Sequence, residues 1–384
     1  MRQRAVRGRA ALVLACAIGV ASVLAGCSSS KSEASKPAEL VDFKPSFAVR
    51  TAWRVSVGDA RGAPLQPAVL ENAVYAAASN GTLMRVAPAT GEVVWRVDTG
   101  ARISAGVGSD GFVVAIGTAR GELLTFGADG KAGWRAQLSS DVLTAPLVGR
   151  GLVIVRSTDQ RVTAFEIDSG KRVWSYSRTT PPLTLRTTSD LAFAGDNVIV
   201  GLPGGRMVAL ALSNGAARWE TVVAEPRGAT EVERLADVIG PIAVAGREAC
   251  AAAFQGRLVC VDFANGNLRW AREHSAGAGV AIDERQVYGV DAKSAVVAHA
   301  RDGGASVWRN TKLENRKLSA PLALRNAVLI GDFAGYVHFL QPDSGEFAAR
   351  VALSGAITAA PRAWGNGAIV QTQGGTLAFL SVER

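Results

Sequence analysis

A unit of about 40 residues returns along nearly the whole chain, and this period limits the fold more than any other feature. The clearest copy runs from Ser79 to Trp95 (SNGTLMRVAPATGEVVW) and contains two turn glycines, Gly81 and Gly91, followed by the tryptophan. Equivalent glycine, glycine and tryptophan positions are Gly121/Gly130/Trp134, Gly205/Gly215/Trp219 and Gly256/Gly266/Trp270. Short β-prone runs lie between the turns, so each unit predicts a small antiparallel sheet whose tryptophan needs a neighbouring sheet to cover it.

Weaker copies keep the spacing and lose one position. Gln160 and Ser294 replace the first glycine of their units, and Ala349 replaces a tryptophan. About eight units of four strands predict an all-β fold, an eight-bladed β-propeller of four-stranded antiparallel blades. The last unit contains only three strands, whereas residues 47–57 form an extra strand with Trp53 ahead of the first unit. We expect this N-terminal strand to complete the last blade and close the ring.

The N-terminus has the pattern of a bacterial lipoprotein signal. Four arginines precede an apolar run that is too short to span a bilayer stably, and the run ends in Leu24-Ala25-Gly26-Cys27, which resembles a lipobox. The resemblance implies a signal peptide at 1–26, lipidation of Cys27 and, because Ser28 follows, sorting to the outer membrane. Residues 27–46 then form the lipidated cysteine and a flexible tether, and residues 47–384 form the propeller. The alternative is an ordinary cleaved signal with an incidental cysteine.

Charge and cysteine content set further limits. Removing the four signal arginines from the formal charge of +9 leaves +5, a mild value that indicates a solvated surface and no nucleic-acid partner. In the predicted propeller only Cys250 and Cys260 remain, on either side of a hairpin turn at Gln255. A disulfide requires them to face each other, and a shift of one residue in the turn would make them diagonal. We expect two unpaired, packed thiols, with the disulfide as the alternative.

Two adjacent units are longer than the others. The extra residues fall at 179–190 (TTPPLTLRTTSD) and 224–241 (AEPRGATEVERLADVIGP), where Thr230 and Glu233 have the spacing of a capping box for a short helical turn. Neighbouring insertions on a rigid ring favour a partner-binding site, although loop drift on a tolerant surface is the alternative.

The lipobox, the tether, the repeats and the segments PPLTLR and TEVERLADV together resemble the BamB family, lipoproteins of the outer-membrane β-barrel assembly machinery (BAM complex). The resemblance implies a non-enzymatic scaffold without cofactor or metal, lipid-anchored in the outer membrane and facing the periplasm. Its implied partners are BamA, other BAM subunits and nascent outer-membrane proteins. The implied BamA contacts are Leu183, Leu185, Arg186 and Asp237. A second position that is acidic in the family is Ile239 here.

Three alternatives remain from the residues alone. Leu183 and Leu185 alternate as in a strand, so both side chains can instead point inward. A quinoprotein-like dehydrogenase has related repeats, but it would be expected to show vicinal cysteines and calcium-binding carboxylates. The three histidines, His274, His299 and His338, lie in different units without metal-site spacing. A propeller lipoprotein that binds another envelope ligand is the third alternative.

Overall fold

The repeats fold into eight four-stranded antiparallel sheets, as the sequence predicts. A computed structural model describes residues 36–186 and 189–383, and the strands in these residues are β1 to β32 in chain order. No helix occurs in the described residues. Each sheet is one blade of an eight-bladed β-propeller, and its strands follow one another in sequence in seven of the eight blades.

The strands of blades one to four are these. Blade one contains β2 (Ala68–Val69), β3 (Val74–Ala77), β4 (Thr82–Val86) and β5 (Val93–Asp98); blade two β6 (Ile103–Ser109), β7 (Val113–Thr118), β8 (Glu122–Gly127) and β9 (Ala132–Gln137). Blade three contains β10 (Leu147–Gly149), β11 (Leu152–Arg156), β12 (Val162–Glu166) and β13 (Arg172–Tyr176); blade four β14 (Leu191–Ala194), β15 (Asn197–Leu202), β16 (Arg206–Ala211) and β17 (Ala217–Val222).

The strands of blades five to eight complete the ring. Blade five contains β18 (Val238–Ala245), β19 (Glu248–Ala253), β20 (Gly256–Asp262) and β21 (Leu268–His274); blade six β22 (Ala276–Ile282), β23 (Gln286–Asp291), β24 (Val296–Ala300) and β25 (Ser306–Asn310). Blade seven contains β26 (Leu322–Leu324), β27 (Ala327–Gly331), β28 (Tyr336–Leu340) and β29 (Phe347–Ala352); blade eight β30 (Arg362–Trp364), β31 (Gly367–Gln371), β32 (Thr376–Val382) and β1 (Val49–Ser56).

Blade eight joins the two ends of the chain. Strand β1 pairs antiparallel with β32, from Val49 opposite Val382 to Ser56 opposite Thr376. The prediction that the strand carrying Trp53 completes the last blade is therefore confirmed. In a ring closed in this way the edges are short: each blade has one at its inner strand and one at its outer strand.

The hydrophobic core lies between blades. Every one of the eight core clusters combines side chains from two neighbouring blades; for example, Trp53 of blade eight packs with Val74 and Met84 of blade one. Second strands such as β27 are buried along their whole length because both of their faces are covered.

Seven tryptophans connect neighbouring blades by the same contact, which we call the tryptophan lock. The ring of each covers a glycine in the last turn of the next blade, and its indole N–H donates to a carbonyl of that turn at 2.6–2.9 Å. The pairs are Trp53–Gly91, Trp95–Gly130, Trp134–Gly170, Trp174–Gly215, Trp219–Gly266, Trp270–Gly304 and Trp308–Gly345. Ala349 is the gap in this series, as the sequence predicts.

The structure corrects one expectation. Cys250 and Cys260 lie directly opposite each other in the β19–β20 ladder and form a disulfide, so the expected pair of free thiols is wrong. The register decides this, because the turn at Gln255, whose φ is 49°, places the two cysteines face to face instead of on a diagonal. A covalent bond across one hairpin suits an oxidising compartment.

Part of the predicted tether contacts the propeller. Residues 38–47, which we call the strap, run along blade seven before β1 begins; Leu40 and Phe43 pack against the core between blades six and seven, and Phe47 packs on Phe339. The boundaries 1–26, 27–46 and 47–384 remain predictions, and Cys27 lies outside the described residues.

The lock predicts different costs for two adjacent glycines in one turn. Gly303 and Gly304 both have positive φ, 76° and 68°, but a Cβ on Gly303 would meet nothing within 4 Å whereas one on Gly304 would lie 2.5 Å from the Trp270 ring. We expect Gly303→Ala to cost about 1 kcal/mol from backbone strain. Gly304→Ala should cost about 1–3 kcal/mol more because it overpacks the lock. Urea unfolding of both variants measures the difference, and equal costs would contradict the role of the ring contact.

Candidate functional site

Both predicted insertions lie at the same end of the propeller. Since strands alternate in direction, the turns between second and third strands and the connections between blades share one face of the ring. The insertions belong to the connections from blade three to four and from blade four to five. We call this end the insertion face and the other end the opposite face.

The first insertion presents one leucine and buries much of the other. Leu183 is 41 % exposed, whereas Leu185 is half-buried against the core cluster of blades five and six. The Arg186 side chain is 84 % exposed and reaches Asp141 at 3.4 Å. The two leucines, which the sequence could not distinguish, therefore differ in the structure. Leu183 is exposed and accessible to a partner, whereas Leu185 mainly holds the loop in place.

Asp237 holds the first insertion from beneath. It is 4 % exposed, and its carboxylate accepts hydrogen bonds from the backbone N–H of Leu185 at 2.6 Å and of Gly204 at 3.1 Å. Charge-assisted bonds of this kind are among the stronger ones in proteins. In this structure Asp237 does not present its charge to solvent; it positions the loop that carries Leu183 and Arg186.

A buried arginine supports the same loop. Arg156, at the end of β11, donates to the Gln160 side chain at 2.9 Å, to Ser189 Oγ at 3.3 Å and to the Gly201 carbonyl at 2.6 Å. Burial lowers the pKa of Arg156 to about 10, and the nearby charge of Asp237 opposes that shift. The sequence did not point to Arg156 directly. The replacement of a turn glycine by Gln160 was the available signal, because the Gln160 side chain is a hydrogen-bond partner of Arg156.

The two insertions are joined directly. Ser189 bridges to Gly240 in parallel orientation, and the Asp190 N–H donates to the Gly240 carbonyl at 3.0 Å. The end of the first insertion is thus paired with the end of the second. The two loops form a single supported surface above blade four.

The predicted capping box in the second insertion is present. Glu233 Oε2 accepts from the N–H groups of Ala229 and Thr230 at 2.8 and 3.1 Å, and the Glu233 N–H donates to Thr230 Oγ1 at 3.2 Å. One turn of helical type follows, because the Arg234 N–H donates to the Thr230 carbonyl at 3.1 Å. The cap gives this exposed loop a defined shape.

Ile239 belongs to the core at this position. It pairs with Ala252 in the β18–β19 ladder and is buried between blades five and six. A carboxylate at this site would lose its hydration, so the apolar residue fits its surroundings.

The central channel opens on the insertion face. Its mouth is a cavity of about 750 Å³ lined by small residues and by five charged residues. The charged residues are Arg61, Arg102, Asp141, Arg186 and Asp190. Enclosure raises the pKa of the Asp190 carboxyl, and the charge of Arg362 works against this shift. Arg186 therefore belongs both to the loop surface and to the rim of the channel.

The described residues contain no constellation typical of a metal enzyme. In residues 36–186 and 189–383 no three histidine, cysteine, aspartate or glutamate side chains are placed to hold a metal ion. His274, His299 and His338 are buried in blades five, six and seven. Over the same part of the chain no helix is long and apolar enough to cross a membrane.

Comparison with known proteins assigns this architecture to a family. The family model described as outer membrane protein assembly factor BamB matches residues 79–310 and 292–384. A protein of that name from Bordetella pertussis is 44 % identical over 361 residues, covering 93 % of this chain and 94 % of its own. The chain belongs to the BamB family. A Burkholderia pseudomallei member is 43 % identical over 369 residues, with coverage of 96 % and 97 %.

Solved structures agree with the assignment. The crystal structure of BamB from Moraxella catarrhalis has a TM-score of 0.80 and 27 % identity, covering 87 % of this chain and all of that one. A quinohemoprotein alcohol dehydrogenase from Comamonas testosteroni has a TM-score of 0.69 but 15 % identity, covering 89 % and 78 % of the two chains, and so shares only the fold. The BamB family name is that of an assembly factor and not of an enzyme.

The support of the first insertion predicts a specific loss of stability. Asp237→Ala leaves two partly buried N–H groups without their acceptor and removes the negative charge near the buried Arg156, so we expect a loss of about 2 kcal/mol. Amide hydrogen exchange at Leu185 should accelerate, because its acceptor is gone. Glu225→Gln is the control, since Glu225 forms an exposed pair with Arg227 and its loss should change stability by less than about 0.5 kcal/mol. Unchanged exchange at Leu185 in Asp237→Ala would contradict the positioning role.

The buried histidines predict acid sensitivity. Burial lowers the pKa of His274 to about 4, and it lowers those of His299 and His338 as well. In the unfolded chain these histidines take up protons near pH 6.5, whereas in the folded chain they do not. The free energy of unfolding is therefore highest, as far as these groups are concerned, above pH 6.5, and it decreases as the pH falls toward 4. By pH 5 His274 alone should cost about 2 kcal/mol. In urea titrations, the free energy of unfolding of His274→Gln should depend less on pH than that of the wild type, whereas that of the exposed control Glu284→Gln should not. Equal slopes for His274→Gln and the wild type would show that His274 does not cause the acid sensitivity.

Proposed function

We propose that this protein is a non-enzymatic scaffold lipoprotein of the BAM complex that binds the periplasmic domains of BamA and assists insertion of β-barrel proteins into the outer membrane. Membership of the BamB family supports the general role, since its relatives are named outer membrane protein assembly factors. The lipobox ending at Cys27 supports a lipid anchor and a position facing the periplasm.

One observation carries the choice of site: the two insertions form one supported surface from which Leu183 and Arg186 project. Asp237 holds Leu185 and Arg156 holds Ser189, so the loop loses little conformational entropy when a partner binds it. A supported surface that exposes apolar side chains such as Leu183 and Val232 next to charged ones such as Arg186 has the features of a small docking site.

Each residue then has a distinct part in docking. Leu183 supplies apolar area to a pocket on BamA. Arg186 exchanges its exposed and therefore weak pair with Asp141 for a carboxylate on the partner. Leu185 and Asp237 act indirectly, because they hold the loop in the shape that presents the other two.

A scaffold of this kind catalyses no reaction; its contribution is to align BamA and the β-barrel proteins that are to be inserted. The ring supplies a stiff platform, and other BAM subunits and nascent outer-membrane proteins are the further partners expected of it. Binding of a different envelope ligand at the same surface is the remaining alternative, and the partner that is recovered distinguishes the two.

Reversal of the exposed charge is the sharpest test. In a pull-down with the full chain, Leu183→Glu and Arg186→Glu should each weaken BamA recovery by about tenfold or more. Leu183→Glu would bury a charge in the apolar pocket of the partner, and Arg186→Glu would repel the carboxylate that Arg186 pairs with. Leu268→Glu is the matched control: Leu268 is also an exposed leucine, but it lies on the outer strand β21.

Three outcomes separate the claims. Loss of BamA with the insertion variants and retention with Leu268→Glu supports the site. Full recovery of BamA by both insertion variants excludes this surface while leaving the partner in place. Failure of the wild-type chain to recover BamA, with recovery of some other envelope component, refutes the proposed function itself.

A further inference from the structure

The strap begins on the insertion face. The Ala38 N–H donates to the Glu314 carbonyl at 2.9 Å, and Arg316 Nη1 donates to the Ala38 carbonyl at 3.0 Å. Glu314 and Arg316 lie in the connection between β25 and β26. This connection is on the same face as the two insertions, so the strap is attached to the ring on that face.

The strap ends on the opposite face. The Ser46 N–H donates to the Ala348 carbonyl at 2.8 Å, and Gln341 Nε2 donates to Ser46 Oγ at 3.0 Å. Gln341 lies at the turn between β28 and β29, which belongs to the opposite face. The strap therefore crosses blade seven from one face of the ring to the other.

Aromatic and cationic contacts hold the middle of the strap. The Phe43 ring stacks on Phe347 with centroids 5.3 Å apart, and the Arg350 guanidinium lies 5.0 Å from the Phe43 centroid. Arg350 also donates to the Val41 carbonyl at 3.1 Å. Stacking, a cation–π contact and a backbone hydrogen bond converge on four residues, which makes this a specific attachment.

A buried hydrogen-bond network fixes the two arginines that contact the strap, Arg316 and Arg350. Asp332 is fully buried and accepts from Arg316 Nε at 2.7 Å and, through the same oxygen, lies 3.0 Å from His338 Nε2. Arg350 Nε donates to His338 Nδ1 at 3.2 Å. These buried hydrogen bonds aim both guanidinium groups at the strap.

The strap changes where the N-terminal chain leaves the ring. Without it, the chain would join the ring at β1, whose first residue Val49 lies on the opposite face. With it, the chain is already attached to the ring at Ala38, on the insertion face. From Cys27 to Ala38 is 11 residues, which span at most about 38 Å, whereas the 22 residues from Cys27 to Val49 span about 77 Å.

We propose that the strap orients the ring on the lipid surface, with the insertion face toward the membrane. This rests on the proposed lipid anchor at Cys27. A short attachment at the edge of the insertion face keeps that face nearer the bilayer than the opposite face. A partner bound at Leu183 and Arg186 is then held between the ring and the membrane into which β-barrel proteins are inserted.

Energy transfer to a labelled bilayer tests the orientation. The full lipidated chain is placed in vesicles of phosphatidylethanolamine and phosphatidylglycerol that contain an acceptor lipid. A donor dye is attached at Lys293→Cys or at Glu284→Cys, which are exposed positions on the insertion and opposite faces of blade six. The lipid on Cys27 and the Cys250–Cys260 disulfide leave the new thiol as the reactive one. We expect stronger transfer from the position-293 dye.

Variants of the strap complete the test. Leu40→Ala with Phe43→Ala removes the apolar attachment and should abolish the difference between the two dyes. Val41→Ala is the control, because the Val41 side chain is exposed and its carbonyl remains for Arg350. Circular dichroism checks that the ring of the double variant remains folded.

The outcomes are decisive in either direction. Equal transfer from the two dyes in the wild-type chain, or stronger transfer from position 284, overturns the proposed orientation. So does a folded double variant that keeps the wild-type difference. If the double variant unfolds, the wild-type comparison still decides. Vesicle binding by Cys27→Ser equal to that of the wild type would instead refute the lipid anchor, which is part of the proposed function.

Discussion

The tryptophan lock is the contact on which the rest of the structure depends. A thin sheet of four strands cannot cover its own apolar faces, so its stability comes from its neighbours. In each lock an indole ring lies over a glycine of the next blade and its N–H bonds a carbonyl of the same turn. Only glycine permits both the positive φ and the close approach of the ring. Seven repetitions of this contact, with eight cores shared between blades, make the ring a single stiff body.

The missing eighth lock has a physical reason. The third and fourth strands of blade eight, β32 and β1, come from opposite ends of the chain, so no turn with a glycine links them. A tryptophan at Ala349 would have nothing equivalent to cover. The strap lies along blade seven instead, where Phe47 packs on Phe339 and Ser46 bonds to Ala348. Strand β1 closes the ring, and the strap before it brings the N-terminal chain back to the insertion face.

On this rigid ring, a small amount of irregular chain creates the candidate docking surface. Its support is polar and buried: Asp237 accepts hydrogen bonds from the backbone N–H groups of Leu185 and Gly204, and Arg156 donates to Ser189 Oγ at the end of the first insertion. Buried charges are costly unless they are hydrogen-bonded, and both are. The support leaves the Leu183 and Arg186 side chains exposed. In the proposed docking site, the residues that hold the loops are therefore different from those that would meet a partner.

The sequence by itself determined the repeat, the blade number, the closing strand and the place of the insertions, because spacing of turn glycines and tryptophans is a local property. It did not determine which side chains of an insertion face solvent. Asp237 and Leu185 belong to segments 52 residues apart that meet only when blades three to five are assembled. Cys250 and Cys260 depended on turn register, and the docking of Phe43 on blade seven depended on contacts more than 300 residues away in sequence. Such long-range pairings follow from packing alone, so only the tertiary structure decided them.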